Sequence, residues 1–328
     1  MTPFAYRRAQ SVDDAVRLGL TPGAHFLGGG TNLIDLAKGG VVQPLLLVDV
    51  SRLPLAEVTT NPDGGVRVGA MARNSDVANH PLVRTRYPLL SQALLAGASP
   101  QLRNMATVGG NLLQRTRCGY FCDTGFEHCN KRAPGSGCDA IGGINRNHAI
   151  LGASSACIAT HPSDMCVALA ALRATVRVRS ARAERAIPFA DFHRLPGDTP
   201  QRDTTLEAGE LIVAVDLPPS NFADHAHYLK VRDRASYAFA LVSVAAALDV
   251  RDGVVRDAAI ALGGVAHKPW RLPGAEALLV GRPLTRETMQ AAADALVQDA
   301  RPASQNGFKV ELAKRAVVRA LQTAGGQA

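Results

Sequence analysis

The stretch AHFLGGGTNLIDLAKGG, residues 24–40, decides how the first part of this chain folds. Its apolar start predicts a short strand, and the pattern from Thr31 onward predicts a helix that ends in glycine. Between them, the backbone amides of residues 28–32 would point at one spot at a helix N-terminus. Such a loop is an anion cradle suited to a diphosphate, although a tight strand–helix turn gives the same pattern. It matches neither the dinucleotide G-x-G-x-x-G nor the P-loop pattern.

A β-α-β unit surrounds this stretch, over about residues 1–55. FAYRRA predicts the first strand, and Ser11 with Asp14 predicts the start of a helix over VDDAVRLGL. PLLLVDV predicts a nearly continuous apolar strand, as expected when both faces of a sheet are covered.

A second mixed unit is predicted over residues 56–220, and a third over residues 221–328. The second contains helices over NSDVANHPLV, YPLLSQALLAGA and HPSDMCVALAALRA, and strands over HAILGAS, ATVRVRS and TLEAGELIVAVDLPP. The third begins with two long antiparallel strands that turn at Arg251-Asp252-Gly253 and ends with two helices. The predicted fold class is therefore α/β plus α+β, with an antiparallel sheet in the C-terminal domain.

Composition excludes some classes of function. No apolar run reaches about 18 residues, so we expect no membrane insertion, and the N-terminus lacks the pattern of a secretory signal. The cytoplasm is the default compartment, unless the folded chain is exported with a partner that carries a signal. The net charge is +8, but only 5% of residues are aromatic and basic residues do not alternate with them. We therefore expect no nucleic-acid partner, and attribute the charge to a basic surface or to anionic cofactor phosphates.

All six cysteines lie between residues 118 and 166, separated by three, six, eight, eighteen and eight residues. Disulfides would need an oxidising compartment, and inert core cysteines would not cluster in this way. Structural zinc usually takes pairs of cysteines two to four residues apart, and no C-x-x-C occurs here. Long, unequal gaps favour an iron–sulfur cluster held by four thiolates from separate loops, with zinc as the alternative.

Six thiols compete for four positions. Cys166 falls on the apolar face of a predicted helix and is interpreted as core filling, whereas spacing alone leaves Cys122 open. Glycines in the cysteine stretch let amides turn toward cluster sulfurs, and Arg115, Arg117, Lys131 and Arg132 would offset the charge of the thiolates.

Three further features suggest a redox cofactor with phosphates. A second glycine turn, ATVGGNLLQ, lies about 80 residues after the first. Asp164 begins a helix and could accept a hydrogen bond from a ribose or ribityl hydroxyl, although a plain helix cap has the same sequence. Lys230 could meet a phosphate or the edge of a flavin, although this residue by itself favours a solvated lysine on a strand.

Together these segments resemble the flavin-binding subunit of molybdenum-containing hydroxylases, the xanthine dehydrogenase and aldehyde oxidoreductase group. The resemblance covers nearly the whole chain. The motifs that carry it are FLGGGTNLIDLAK, ATVGGNLLQRTRC, CNKRAPGSGC, ACIATHPSD and KVRDRASYAFALVSVAAAL. The cysteine-bearing insert, about residues 115–160, is similar to that of bacterial aldehyde oxidoreductase subunits that carry both FAD and a [4Fe-4S] cluster. The implied fold is a vanillyl-alcohol-oxidase type FAD-binding domain of two subdomains (1–55 and 56–220), followed by the C-terminal α+β domain.

The resemblance also implies a set of binding residues. The first glycine loop would hold the FAD diphosphate through Phe26, Leu27, Gly28, Gly29, Gly30, Thr31, Asn32, Leu33 and Ile34. The other implied FAD contacts are Thr107, Gly110, Asn111, Asp164, Lys230, and Ile212 or Val213 against the ring. The implied cluster ligands are Cys118, Cys129, Cys138 and Cys157, whereas Cys122 and Cys166 depart from the family pattern. No residue of this chain is expected to act as a catalytic acid or base.

The implied activity is that of an electron-transfer subunit in a heterotrimer. An aldehyde would be oxidised at a molybdenum cofactor on a large partner subunit. Electrons would pass through [2Fe-2S] centres of a small partner subunit to FAD, and on to a small-molecule acceptor. Two other hypotheses stay open: a zinc-stapled flavoprotein without a cluster, and a non-catalytic basic scaffold that binds nucleic acid.

Overall fold

The first unit is a three-stranded parallel sheet with two helices. The computed structural model describes residues 1–327. The elements are β1 (Ala5–Arg8), α1 (Val12–Gly19), β2 (Ala24–Leu27), α2 (Leu33–Lys38) and β3 (Leu46–Asp49). The strand order is β1-β3-β2, so β3 lies in the centre, and all four of its residues are buried. The Ser11 side chain accepts a hydrogen bond from the Asp14 amide and caps α1, as predicted.

The second unit is a five-stranded antiparallel sheet with helices packed on it. Its strand order is β4-β5-β8-β6-β7. The strands are β4 (Val58–Thr60), β5 (Val66–Gly69), β6 (Thr175–Arg179), β7 (Glu184–Pro188) and β8 (Leu211–Leu217). The helices are α3 (Asn74–Asn79), α4 (Pro81–Arg86), α5 (Pro88–Ala96), α6 (Pro100–Arg103), α7 (Val108–Leu112), α8 (Gly119–Cys122), α9 (Asp139–Gly142), α10 (Asp164–Ala171) and α11 (Phe189–Phe192). The first two units share one continuous apolar core.

The third unit is a four-stranded antiparallel sheet covered by helices. Its strand order is β12-β11-β10-β9. The elements are β9 (Ala226–Val231), β10 (Val242–Arg251), β11 (Val254–Gly263), β12 (Trp270–Arg271), α12 (Pro273–Ala277), α13 (Arg286–Val297) and α14 (Phe308–Ala324). One face of β10 and β11 packs with α13 and α14 in a second core. Thr285 and Thr288 form a reciprocal capping box that begins α13.

The predicted fold class, α/β plus α+β with an antiparallel C-terminal sheet, is confirmed, but three local predictions are wrong. HAILGAS is not a strand: Ile150 and Leu151 donate to the Val265 carbonyl from an irregular segment. The helix predicted over NSDVANHPLV is two helices, because Pro81 begins α4 after an extended His80. The first long C-terminal strand is divided into β9 and β10 by the loop of residues 232–241.

The cysteine insert, residues 115–160, is held in place by hydrogen bonds from the third unit. The Asn145 side chain accepts from the Gln305 amide at 2.9 Å. The amide nitrogen of Asn306 donates to the His148 carbonyl at 3.2 Å, and the Lys309 ammonium donates to the same carbonyl at 2.8 Å. Asn145, Asn306 and Lys309 are fully buried, so these bonds replace the regular structure that the insert lacks. Within residues 1–327, no helix has the length and apolar character needed to cross a membrane.

Candidate functional site

The first glycine loop presents backbone donors that the chain itself does not use. Within residues 1–327, the amides of Gly29, Gly30, Thr31 and Asn32 donate to no other group of the protein. Gly30 has a φ of +74°, a conformation that favours glycine. Unused amides at the end of β2 fit the predicted cradle for a diphosphate.

The second glycine loop packs directly behind the first. A Cβ built on Gly29 would lie 1.9 Å from the Met105 carbonyl oxygen, so the two backbones touch here. The Thr107 hydroxyl accepts from the Gly110 amide and caps α7. The same hydroxyl lies 2.9 Å from where a Cβ of Gly28 would be. Glycine at positions 28 and 29 therefore allows the two loops to pack closely, in addition to its predicted role in the diphosphate cradle.

A cavity of about 400 Å³ opens in front of these loops, in the size range of cofactor pockets. Six of the predicted residues line it, namely Thr31, Asn32, Gly110, Asn111, Asp164 and Lys230. The other predicted FAD residues do not line it. Phe26 and Leu27 lie on β2, and Leu33 and Ile34 lie at the start of α2. Ile212 and Val213 lie on β8 and pack in or against the first core.

Three buried polar atoms without a partner belong to side chains that line this cavity. They are the Asn32 amide nitrogen, the Asn74 side-chain oxygen and the Arg117 Nε. Buried polar groups are rarely left unpaired in folded proteins, so their convergence fits a polar ligand such as a flavin dinucleotide. Asn74 was not predicted from the sequence because it belongs to no recognisable motif. It reaches the cavity only through the position of α3.

A buried ion pair forms part of the cavity wall. The Lys230 ammonium donates to Asp164 Oδ2 at 2.7 Å, and the Tyr228 hydroxyl donates to Asp164 Oδ1 at 2.7 Å. The side chains of Lys230 and Asp164 are only 4% and 9% exposed. Burial, together with the Asp164 carboxylate, raises the pKa of Tyr228 well above its usual value, so the phenol remains a donor. The structure thus pairs the two residues that the sequence analysis treated separately.

Replacing Lys230 by methionine is expected to lower the free energy of unfolding by about 3 kcal/mol, because Asp164 would lose its buried cation. Flavin affinity should fall as well, since both residues line the cavity. Denaturant unfolding and flavin titration measure the two effects. Lys314→Met is the matched control, because the Lys314–Asp294 pair is on the surface and should cost less than about 1 kcal/mol. Equal losses in the two variants would contradict the role given to Lys230.

A second cavity, of about 650 Å³, adjoins the first and reaches Cys118. The two cavities share Arg117, Pro162, Asp164, Arg234, Ala238 and Phe239 as lining residues. Cys118 and His148 also line the second cavity. The loop between β9 and β10 contributes Arg234 and Phe239, which sequence reasoning missed because an irregular loop has no periodicity to read.

The structure brings the four predicted ligand cysteines together. Cys129 and Cys138 face each other across an antiparallel bridge. Cys157 and Cys129 lie near enough to Cys118 to raise its pKa, and Cys138 and Cys129 raise that of Cys157. Burial is the largest cause, and it raises the pKa of Cys118 to about 12 and that of Cys157 to about 11. Buried thiols of this kind ionise when a metal centre supplies the compensating charge.

Two nitrogen atoms approach the sulfurs of this group. His148 Nε2 lies 3.1 Å from the Cys118 sulfur, and the Ala159 amide donates to the Cys157 sulfur at 3.4 Å. Hydrogen bonds to cluster sulfurs are one means by which proteins set a cluster's reduction potential. The arrangement therefore has the features of a tuned thiolate site.

The two remaining cysteines occupy different environments. The Cys122 sulfur lies 3.8 Å from the Thr116 carbonyl, at the end of the short helix that Cys118 begins. Cys166 is fully buried in the first turn of α10, within the first core. Both thiols are free, as are the other four.

The sulfurs of the four cysteines are not arranged as a preformed site for a single ion. Among the described residues, no three of the sulfurs of Cys118, Cys129, Cys138 and Cys157 lie within 4.8 Å of one another. Tetrahedral zinc with sulfur ligands needs them about 3.8 Å apart. An iron–sulfur core is larger and holds its thiolates further apart.

A network of charges joins the insert to the loop before β8. Lys131, whose side chain is 1% exposed, donates to Asp203 at 2.5 Å and to the Pro200 carbonyl at 2.7 Å. Arg115 also donates to Asp203, at 2.7 Å. Burial of Asp203 opposes its ionisation, but Lys131 and Arg115 outweigh burial and lower its pKa from 3.8 to about 2.

Asp203→Asn is expected to lower the free energy of unfolding by about 3 kcal/mol, because Lys131 would be left buried without its anion. The stabilisation from the lowered pKa is present above pH 3.8 and is lost as the pH falls toward about 2. That part of the acid dependence should be absent from the variant, which chemical unfolding between pH 2 and pH 7 measures. Asp233→Asn is the control, since its pair with Arg146 is exposed and should cost under about 1 kcal/mol. Matching acid profiles of wild type and Asp203→Asn would contradict this account.

Comparison with known families identifies the class of this protein. The model described as "FAD binding domain in molybdopterin dehydrogenase" matches residues 2–220. The model described as "CO dehydrogenase flavoprotein C-terminal domain" matches residues 226–324. The chain therefore belongs to the FAD-binding subunits of the molybdenum hydroxylase family, which are oxidoreductases, and its predicted fold class agrees with this.

Individual relatives support the same assignment along the whole chain. The chain is 51% identical to the aldehyde oxidoreductase FAD-binding subunit PaoB of Escherichia coli, over 100% of both proteins. It is 28% identical to the glyceraldehyde dehydrogenase medium chain of Sulfolobus acidocaldarius, over 92% of this chain and 90% of that protein. A solved structure of carbon monoxide dehydrogenase from Hydrogenophaga pseudoflava matches with a TM-score of 0.78, 27% identity and full coverage of both chains.

Proposed function

We propose that this chain is the FAD- and [4Fe-4S]-binding electron-transfer subunit of a molybdenum-dependent aldehyde oxidoreductase. The aldehyde specificity rests on the 51% identity to the aldehyde oxidoreductase subunit of Escherichia coli. The cluster rests on the four cysteines of the insert. Bound FAD would supply one- and two-electron chemistry, and the cluster would supply a one-electron relay.

The observation that carries this proposal is the common wall of the two cavities. The first is lined by Thr31 and Asn32, whose amides are unused, and by the three side chains with unpaired polar atoms. The second shares Arg117 and Asp164 with the first and is also lined by Cys118. A flavin and a cluster bound in these places would be neighbours, as electron transfer between them requires.

The residues of the chain would orient the cofactors rather than perform acid–base chemistry. The amides of residues 29–32 would hold the diphosphate. Lys230 would place a positive charge beside the bound flavin, where a dry site strengthens Coulomb attraction. Arg117 stands between the two cavities and would offset negative charge on both cofactors. Residues 1–55 and 56–220 are the proposed FAD-binding subdomains, and residues 221–328 are the proposed C-terminal α+β domain.

Optical spectra and metal analysis of protein prepared without oxygen test the proposal. We expect flavin absorption with an underlying broad iron–sulfur band, and about four iron atoms per chain. About one zinc and no iron at the insert cysteines would favour a zinc-stapled flavoprotein instead. A colourless preparation would contradict both the flavin and the cluster.

The proposed partners are a large subunit that carries the molybdenum cofactor and a small subunit that carries [2Fe-2S] centres. Relatives of this chain bear the names of medium chains, including the glyceraldehyde and carbon monoxide dehydrogenases. Co-purification from the native host with two further chains would support a heterotrimer. The presence of one of them with an export signal would support a periplasmic site.

A further inference from the structure

A second group of potential metal ligands lies outside the insert cysteines. One ring nitrogen each from His161 and His193 and the sulfur of Cys166 all lie within 4.8 Å of one another. His193 is 3% exposed and Cys166 is fully buried. His161 lines the second cavity, so the group can be reached from that side.

Each of the two histidines has one ring nitrogen without a hydrogen-bond partner among the described residues. His161 Nε2 and His193 Nδ1 are buried and unpaired among the described residues. The other nitrogen of His193, Nε2, lies 2.9 Å from the Leu112 carbonyl and must donate to it, which leaves the lone pair on Nδ1. Metal-binding histidines commonly show this arrangement, with the second ring nitrogen donating to a carbonyl. The rings pack together with centroids 4.4 Å apart.

The surroundings favour neutral imidazoles that are ready to bind a cation. Burial lowers the pKa of His193 to about 4 and that of His161 well below its usual value. Charges of both signs surround the three side chains: Asp203 and Lys131 act on His161, Asp203 and Lys268 on His193, and Asp164 on Cys166. The two carboxylates among them, Asp203 and Asp164, attract an incoming cation.

We propose that His161, His193 and Cys166 bind one zinc ion, independently of the flavin and the cluster. Two imidazoles and one thiolate suit zinc, which takes ligand atoms about 3.3–3.8 Å apart. Side-chain rotation closes the remaining distance. The Zn²⁺ ion bonds to the Cys166 sulfur as the thiol proton leaves to solvent, and water from the second cavity supplies a fourth ligand. The ion ties the start of α10, which carries Asp164, to the segment after α11.

Zinc binding to the full chain in its complex tests the proposal. Protein is incubated with Zn²⁺, freed of excess metal and analysed for zinc, iron and flavin separately. Wild type should retain about one zinc per chain. Cys166→Ala and His193→Gln should each weaken zinc binding by at least about tenfold, while iron and flavin stay at wild-type levels. His80→Gln is the matched control, because His80 Nδ1 is also buried and unpaired but has no neighbouring ligands.

Several outcomes would overturn the zinc site. Zinc retention in Cys166→Ala equal to wild type would place the ion elsewhere, for example at insert cysteines that lack iron. An equal loss in His80→Gln would make the effect unspecific, and retention of copper but not zinc would overturn the choice of metal. If Cys166→Ala does not fold, Co²⁺ added to wild type decides, since thiolate-bound tetrahedral cobalt absorbs at longer wavelengths than flavin. Absence of this band would rule out the site.

Discussion

Replacing Cys129 by serine is expected to remove the iron–sulfur cluster while leaving most of the flavin. Cys129 is one of four gathered cysteines, and a serine hydroxyl is a far weaker iron ligand than a thiolate. Iron should fall from about four atoms per chain to less than one, measured together with acid-labile sulfide. Flavin should remain, because the residues that line the first cavity do not include any cysteine.

The variant should also have a lower free energy of unfolding, because the insert packs against an element of the flavin site. Cys129 packs in a small core with Leu36 of α2 and Phe121, and α2 follows the first glycine loop. Cys122→Ala and Cys166→Ala serve as controls and should both keep their iron. Full iron in Cys129→Ser would show that the ligand set is wrong, and iron loss in either control would add that thiol to the set.

Replacing Gly29 by alanine is expected to weaken flavin binding by about 5- to 150-fold. The new methyl carbon would lie 1.9 Å from the Met105 carbonyl oxygen, and the backbone on that side cannot rotate away. The two glycine loops must move apart, at a cost of about 1–3 kcal/mol, which converts to the stated range in affinity. Both loops present residues to the flavin cavity, so the displacement falls on the binding site itself.

Flavin titration of the apoprotein measures this effect, with circular dichroism to confirm that the variant is folded. Gly274→Ala is the matched control, because a Cβ at that position meets nothing within 4 Å and alanine suits its helix. Wild-type flavin affinity in Gly29→Ala would contradict the close packing of the two loops. An equal loss in Gly274→Ala would show that the effect does not come from the glycine loop.

The sequence predicted those parts of the site that short segments define by themselves. A strand, three glycines and a helix start are enough to indicate the cradle, because the backbone conformation follows from local residues. The helix cap at Ser163 places Asp164 at the start of α10. Its pairing with Lys230, 66 residues later, depends on how the second and third units pack, and no local pattern encodes it.

Other parts needed the folded chain. Cysteine spacing indicated a cluster but could not choose four thiols from six, and the fold shows that Cys122 also packs beside Cys118 and Cys129. HAILGAS has the composition of a strand, yet the carbonyl that accepts from Ile150 and Leu151 belongs to a loop residue, Val265. The unpaired atoms of Asn74 and Arg117 indicate a ligand site only in the folded chain, where both residues line one cavity.

Hydrogen bonds from residues 306–309 couple the cysteine insert to the C-terminal domain. The side chains of Asn306 and Lys309 donate to the His148 carbonyl. The imidazole of the same histidine contacts the Cys118 sulfur. A chain cut before residue 306 would keep every cysteine and every residue around the flavin cavity, but it would lose the hydrogen bonds that hold the cysteine insert. Changes near the start of α14 are therefore expected to disturb the proposed cluster site, with loss of iron–sulfur absorption as the visible sign.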